Sequence, residues 1–209
     1  VVGTPPEELT LSLSPVSPLT IHDPAAAAIV EMAKAGVICA NLPAPTGGAT
    51  SPMTITGSLV QQSAETLALL VLAQIVNPGC GVVYCGRLGM LEPRTGLIWG
   101  GVELGLSSAG TVQLGHLYGF SVNVYGFSTN AHTLDAQNAF ERGLNATIPA
   151  LAGADELSGI GEMEAGVMGS FAQMVLDNEL VGSVMRLRGG LSADVEHLAV
   201  EIIGNVMDG

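Results

Sequence analysis

The sequence predicts an α/β protein built on a parallel sheet, and three observations carry that prediction. Short strand-like runs begin near Leu9, Val37, Val82, Phe120 and Asp155, a spacing close to the repeat of a strand followed by a crossover helix and sizeable loops. Most of these runs lead into a glycine-rich or polar loop and then a helical pattern. Hydrophobic residues make up 48% of the 209 and charged residues only 12%, about half the usual share of a soluble chain. Strands buried on both faces and contacts between subunits both explain that excess. A doubly wound sheet and a (β/α)8 barrel satisfy the pattern equally, and periodicity does not separate them. The absence of a GxGxxG run after the first strand lowers the dinucleotide-binding version.

The elements follow in order. After Leu9 to Leu13 comes Ser14-Pro15-Val16-Ser17-Pro18, then an alanine-rich helix from Pro24 to Ala35 that Gly36 stops. Val37 to Leu42 leads into Thr46-Gly47-Gly48-Ala49-Thr50-Ser51-Pro52 and a long apolar helix starting near Met53. In that loop the glycines allow close backbone approach, Thr50 or Ser51 is suited to cap the helix, and Pro52 suits its first turn. An exposed helix start of this kind attracts anions. Asn77-Pro78-Gly79 ends the helix. Val82 to Cys85 precedes a long loop, Gly86 to Gly100, and a helix from Val102 to Tyr118. Phe120 to Tyr125 feeds the loop Gly126 to His132 and a helix from Thr133 to Ile148, with Pro149 close to its end. Asp155 to Ile160 is the weakest strand, since only Leu157 and Ile160 are clearly apolar. The remainder is helical: Ser170 with Gln173 resembles a capping box, Asp177 caps a helix reaching Arg188, Gly189-Gly190 ends it, and Ser192 starts the last.

In either fold the loops at the C-terminal strand ends build the site, so Thr46 to Ser51, Gly86 to Gly100, Gly126 to His132 and Gly161 to Gly166 are expected to converge. The second carries Arg87, Glu92, Arg94 and Trp99, the only tryptophan, with Glu103 at the start of its helix. Tyr125 and Phe127 flank the third, which also holds Asn130 and His132, with Asp135 just beyond. Aromatic faces with carboxylates in a dry pocket hold quaternary ammonium groups, each well-placed ring contributing roughly 0.5 to 2 kcal/mol. The same aromatics also suit a core, and His132 equally suits a cap.

Composition excludes several classes. Six basic residues against nineteen acidic ones give a formal charge of −13, so a phosphate-backbone footprint is absent and nucleic-acid binding is disfavoured. The strongest apolar run, Leu67 to Val76, is broken by Gln74 and falls short of the roughly 20 residues of a membrane span. Three cysteines, Cys39, Cys80 and Cys85, form neither a disulfide framework nor a zinc pattern, so no metal is expected and a reducing cytoplasm fits. No GxSxG elbow and no Ser-His-Asp arrangement stands out. The opening Val1-Val2-Gly3-Thr4-Pro5-Pro6 lacks a signal-type core and reads as the start of a fragment.

Several ordered motifs, Gly47-Gly48-Ala49-Thr50-Ser51-Pro52 with Gln61-Gln62, Leu72 to Gly79, Arg94-Thr95-Gly96, Leu134-Asp135-Ala136-Gln137 and Leu176-Asp177-Asn178-Glu179, together resemble the trimethylamine methyltransferase family. The resemblance runs from about residue 15 to 200 and implies the C-terminal part, about five β/α units, of a (β/α)8 TIM barrel. It further implies demethylation of a tertiary or quaternary amine, with the methyl group passed to the Co(I) of a corrinoid carried by a separate protein. Members using trimethylamine carry pyrrolysine, none appears here, and a quaternary amine such as glycine betaine is therefore favoured. A quaternary nitrogen leaves as a neutral tertiary amine, so the pocket has only to orient and stabilise charge. Under this reading Trp99, Tyr125 and Phe127 face the ammonium, Glu103 supplies the counter-charge, His132 is a further catalytic candidate with Asn130 beside it, and Gly47, Gly48 and Thr50 or Arg94 hold a substrate carboxylate.

Two other readings stand beside it. One is a different barrel enzyme, a lyase or isomerase, binding an anion at Gly47-Gly48 and using His132 with Asp135 as acid and base. The other is a partial barrel that survives by association, as a homo-oligomer, because five strands leave open edges.

Overall fold

The computed structural model describes residues 4–99 and 101–207. Its centre is a five-stranded, all-parallel sheet of β1 (Thr10–Leu13), β2 (Ile38–Asn41), β3 (Val82–Gly86), β4 (Val122–Tyr125) and β5 (Glu156–Ser158), each strand paired with the next one made. That order separates the two candidate folds. A doubly wound sheet reverses its strand order at a switch point, whereas here the order never reverses, so right-handed crossovers lay every connecting helix on one side. The sheet curls into a half-barrel, with α1 (Asp23–Ala35), α2 (Ile55–Val76), α3 (Val102–Leu117), α4 (Ala136–Leu151) and α5 (Phe171–Arg188) packed successively around it. Two short helices, α6 (Val195–Leu198) and α7 (Val200–Met207), follow.

The core lies between strands and helices. Cys39 of β2 packs against Ile29 and Ala33 of α1 and Leu69 of α2. Tyr84, Val122 and Val124 of β3 and β4 pack against Leu70 of α2 and Val112 of α3. Because side chains alternate along a strand, the intervening residues face the concave side: Cys85, Asn123, Tyr125, Glu156 and Ser158. That inner face is polar at Asn123, Tyr125, Glu156 and Ser158 and apolar nearer β2, at Ala40 and Val83.

Helix starts are set by caps. The Thr54 hydroxyl accepts from the Gly57 amide at 3.2 Å, so α2 begins at Ile55, and neither Thr50 nor Ser51 caps it. Asp135 accepts from the Asn138 amide at 3.0 Å and starts α4 later than Thr133, with Pro149 inside the last turn. Ser170 caps α5 by accepting from Gln173. Asp177, expected as a cap, lies inside α5 and is fully buried. Among the described residues α2 alone is long and apolar enough to cross a membrane. Here it is the crossover from β2 to β3, and its buried face carries Ser58, Gln62, Glu65 and Thr66.

Candidate active site

A cavity of about 430 Å3 opens at the C-terminal ends of β3, β4 and β5. Arg87, the residue after β3, Tyr125, the last of β4, and Ser158, the last of β5, all line it, as does Glu162 from the loop beyond. Leu42, Ile98, Leu104 and Asn130 complete the wall on the other side. Its volume suits a small organic molecule. Three of the four expected loops therefore converge. The fourth, Thr46 to Ser51, does not line the cavity; Thr46–Gly47 instead pairs with Gly89–Leu91, which pairs with Ile98–Trp99, in a small sheet above it.

The polar end of the cavity is built around Tyr125. Its hydroxyl donates to the Glu162 carboxylate. Burial, and then the Glu162 charge and hydrogen bond, push the phenol well above its ordinary range, so it stays protonated and acts as a donor. On the ring face lies the Arg87 guanidinium, 5.7 Å from the centroid. Arg87 donates from Nη1 to the Gly86 carbonyl at 2.9 Å and from Nη2 to Ser158 Oγ at 2.7 Å and to Asn123 Oδ1. Burial lowers its pKa, but a guanidinium remains charged at neutral pH. A cation and an anion thus flank one phenol. Asn130 adds a buried Oδ1 with no hydrogen-bond partner among the described residues. Burial pushes the Cys85 thiol up to about 12, so it is no nucleophile.

The loops are tied down from the helix layer. Glu141 of α4 accepts from Thr129 Oγ1 and from the Asn130 amide, both at 2.7 Å, which fixes the loop after β4. Asp177 of α5 accepts from the Gly161 amide at 2.7 Å, which fixes the segment carrying Glu162.

Of the residues expected at the site, Tyr125 and Asn130 line the cavity. Phe127 instead packs with Ala146, Ala150 and Val184 beneath the helices. In the glycine loop the amides of Ala49, Thr50 and Ser51 donate to the Thr46 carbonyl and that of Gly48 to the Ser51 carbonyl. The Thr50 hydroxyl accepts from the Thr46 amide. With those amides satisfied internally, the loop around Gly47 and Gly48 does not have the open-amide geometry of an anion cradle. Arg94 is exposed and paired with Glu92 at 3.0 Å. Glu103 sits in the first turn of α3, off the cavity wall, with Oε2 buried and unpartnered among the described residues. His132 is exposed and pairs with Glu164 at 3.4 Å, while Asp135 is engaged by Asn138 and Thr133, so the acid–base pair of the lyase reading is not assembled. The Trp99 side chain lies outside the described residues.

The pattern of the family described as trimethylamine methyltransferase (MTTB) matches residues 8–209. The chain belongs to that family. The trimethylamine methyltransferase MttB of Desulfitobacterium hafniense (strain DSM 10664 / DCB-2) is 34% identical over 197 residues, 93% of this chain and 40% of its own length. That of Methanosarcina thermophila is 34% identical over 198 residues, 94% of this chain and 41% of its own length. The glycine betaine methyltransferase of D. hafniense (strain Y51) is 29% identical over 201 residues, covering 94% and 42%. The chain thus spans about two fifths of the length of the curated trimethylamine methyltransferase relatives it matches.

The sequence does not mark Glu162, Ser158 or Asn123 as site residues, and it places Arg87 within a loop expected to converge on the site without giving it a role. Arg87 carried a signal, since a scarce cation directly after a strand ending in Gly86 belongs at the strand-end mouth. Ser158 and Asn123 become visible once strand parity is fixed. Glu162 carries none, because its role depends on how the Gly161 loop folds back onto Tyr125.

Proposed function

We propose that this chain forms part of a methyltransferase barrel that removes a methyl group from a quaternary or tertiary amine, in the manner of glycine betaine, and delivers it to the Co(I) of a corrinoid on a partner protein. Family membership supports the reaction class. The observation that carries the substrate is the opposed pair of charges in one cavity: Glu162 for an ammonium, Arg87 for a carboxylate, and the Tyr125 ring between them. A zwitterion presents both charges, whereas trimethylamine offers no carboxylate. The cavity suits the amine, and the far larger corrin has to come to its mouth from outside, which supports a corrinoid brought by a partner. Departure of a neutral tertiary amine needs no proton donor, so Tyr125 and Glu162 serve to bind and orient.

The five-unit half-barrel and the two-fifths coverage support a place in a longer chain that completes an eight-stranded barrel. The test is methyl transfer from glycine betaine to Co(I) corrinoid, followed by the change in the cobalt spectrum, with trimethylamine in parallel, in the complete enzyme. Transfer from glycine betaine lost in Glu162→Gln and Arg87→Met supports the reading. Transfer from trimethylamine alone, or equal activity in both variants, overturns it. Trp99→Ala in the same enzyme is expected to raise the KM for the amine strongly, and an unchanged KM removes Trp99 from the site.

A further inference from the structure

Arg142 and Asp177 form an ion pair in which both side chains are 1% exposed, at 2.8 Å, and no step of the methyl transfer uses it. Removing two charges from water costs so much that such a pair is weak evidence for stabilisation. Its bonds point to a different task. Arg142 of α4 donates from Nη1 to Asp177 Oδ2 and also, at 2.9 Å, to the Phe127 carbonyl. Asp177 of α5 accepts in addition from the Gly161 amide and from Gln173 Nε2, each at 2.7 Å. Phe127 lies two residues beyond Tyr125, and Gly161 lies one residue before Glu162. The Tyr125–Glu162 hydrogen bond closes the circuit, so the ion pair holds the two loops that carry the site's phenol and its carboxylate. Gly161 itself has φ of +76°, a turn that a fixed acceptor on its amide stabilises.

We propose that Arg142 and Asp177 are positioning residues, whose buried pair fixes the Gly161–Glu162 segment against the loop after β4 so that Glu162 meets Tyr125 in the cavity. The functional weight of that placement rests on the ammonium site proposed above, but its geometry is testable without substrate.

The experiment uses the 209-residue chain. Hydrogen exchange of the Gly161 amide is measured in the wild type, and the 13Cζ resonance of Tyr125, assigned with Tyr125→Phe, is titrated in the wild type, in Asp177→Asn and in Arg142→Met/Asp177→Leu. The double variant removes both charges together, so neither is left buried without its counter-charge, while the Gly161 amide and the Phe127 carbonyl lose their tethers. Asp177→Glu is the conservative control. The expected results are a protected wild-type Gly161 amide, exchange at least about tenfold faster in folded variants, and a Tyr125 titration falling toward the ordinary ~10. Glycine betaine binding by calorimetry is expected to weaken about tenfold, with partial recovery in Asp177→Glu. An unprotected wild-type Gly161 amide overturns the proposal even if every variant misfolds, as does an unmoved Tyr125 in a folded variant. A Tyr125 that moves in a folded variant supports the positioning by itself, and the substrate assignment stands or falls separately on methyl transfer in the complete enzyme.

Discussion

Gly159 stands one residue past β5 with φ of +99°, and a Cβ there would lie 2.8 Å from the Phe127 carbonyl oxygen and 2.5 Å from the Tyr125 ring. Neither neighbour can retreat, because the Phe127 carbonyl is held by Arg142 and the ring is clamped between Arg87 and Glu162. Gly159→Ala is therefore expected to cost about 3 kcal/mol from backbone strain and overpacking together, read from urea unfolding. A loss under about 1 kcal/mol would mean that the loop yields there. Glu162→Gln leaves the side-chain shape intact and removes the anion, so it should weaken binding of a quaternary ammonium at least about tenfold with little effect on unfolding. At this scale the sequence marked the aromatics but not their surroundings. Tyr125 and Phe127 are two residues apart and look alike in sequence, yet the first ends a strand on its inner face and the second has turned outward under α4. Only the three-dimensional path of the loop distinguishes them.

Elements were far easier to read, since strand and helix positions depend on local chemistry. The strand starts fall within two residues of expectation, and Gly36 ends α1 with the left-handed φ of 76° that its position required. The helix starts were harder, because Thr50, Ser51 and Thr54 are all plausible caps and the choice depends on the small sheet that draws Thr46–Gly47 away. Thr54→Ala should cost about 1 kcal/mol by leaving the Gly57 amide without its acceptor, measured by the urea midpoint. The junction of α3, β4 and β5 has its own pH signature. Asp155 accepts from His116 Nε2 at 3.0 Å and from the Val122 amide at 2.8 Å, and these hold its carboxyl below the usual range, the His116 bond first. A depressed folded-state pKa means that the stabilisation is complete above the unfolded value of ~3.9 and fades as pH falls through the lower folded value. Asp135, held down by the Asn138 amide, contributes with the same sign. The urea midpoint should fall below about pH 4, and Asp155→Asn should flatten that fall; an identical acid limb in the variant would remove the junction as its source.

At the scale of the molecule, a half-barrel leaves two open sheet edges, β1 and β5, with Leu11 of β1 half exposed. Beyond α5 the surface is apolar as well: Leu191, Val195, Ile202, Ile203 and Val206 are all exposed. Patches of this kind are covered in stable proteins by another part of the same chain or by another copy. Opposing association is the formal charge of −13, which makes copies repel one another at low salt. Salt shortens the reach of that repulsion from about 30 Å at 0.01 M to about 8 Å at 0.15 M and leaves the apolar attraction in place. The isolated chain should therefore sediment near its 21.2 kDa mass at low ionic strength and micromolar concentration, and assemble as salt and concentration rise. Replacing Ile202 and Ile203 with glutamate should move assembly to higher concentration without altering the far-ultraviolet dichroism, since both side chains stand outside the core. A chain that stays monomeric at high salt would show that the apolar surface beyond α5 does not drive self-association. Assembly untouched by the glutamates would move the contact to the sheet edges.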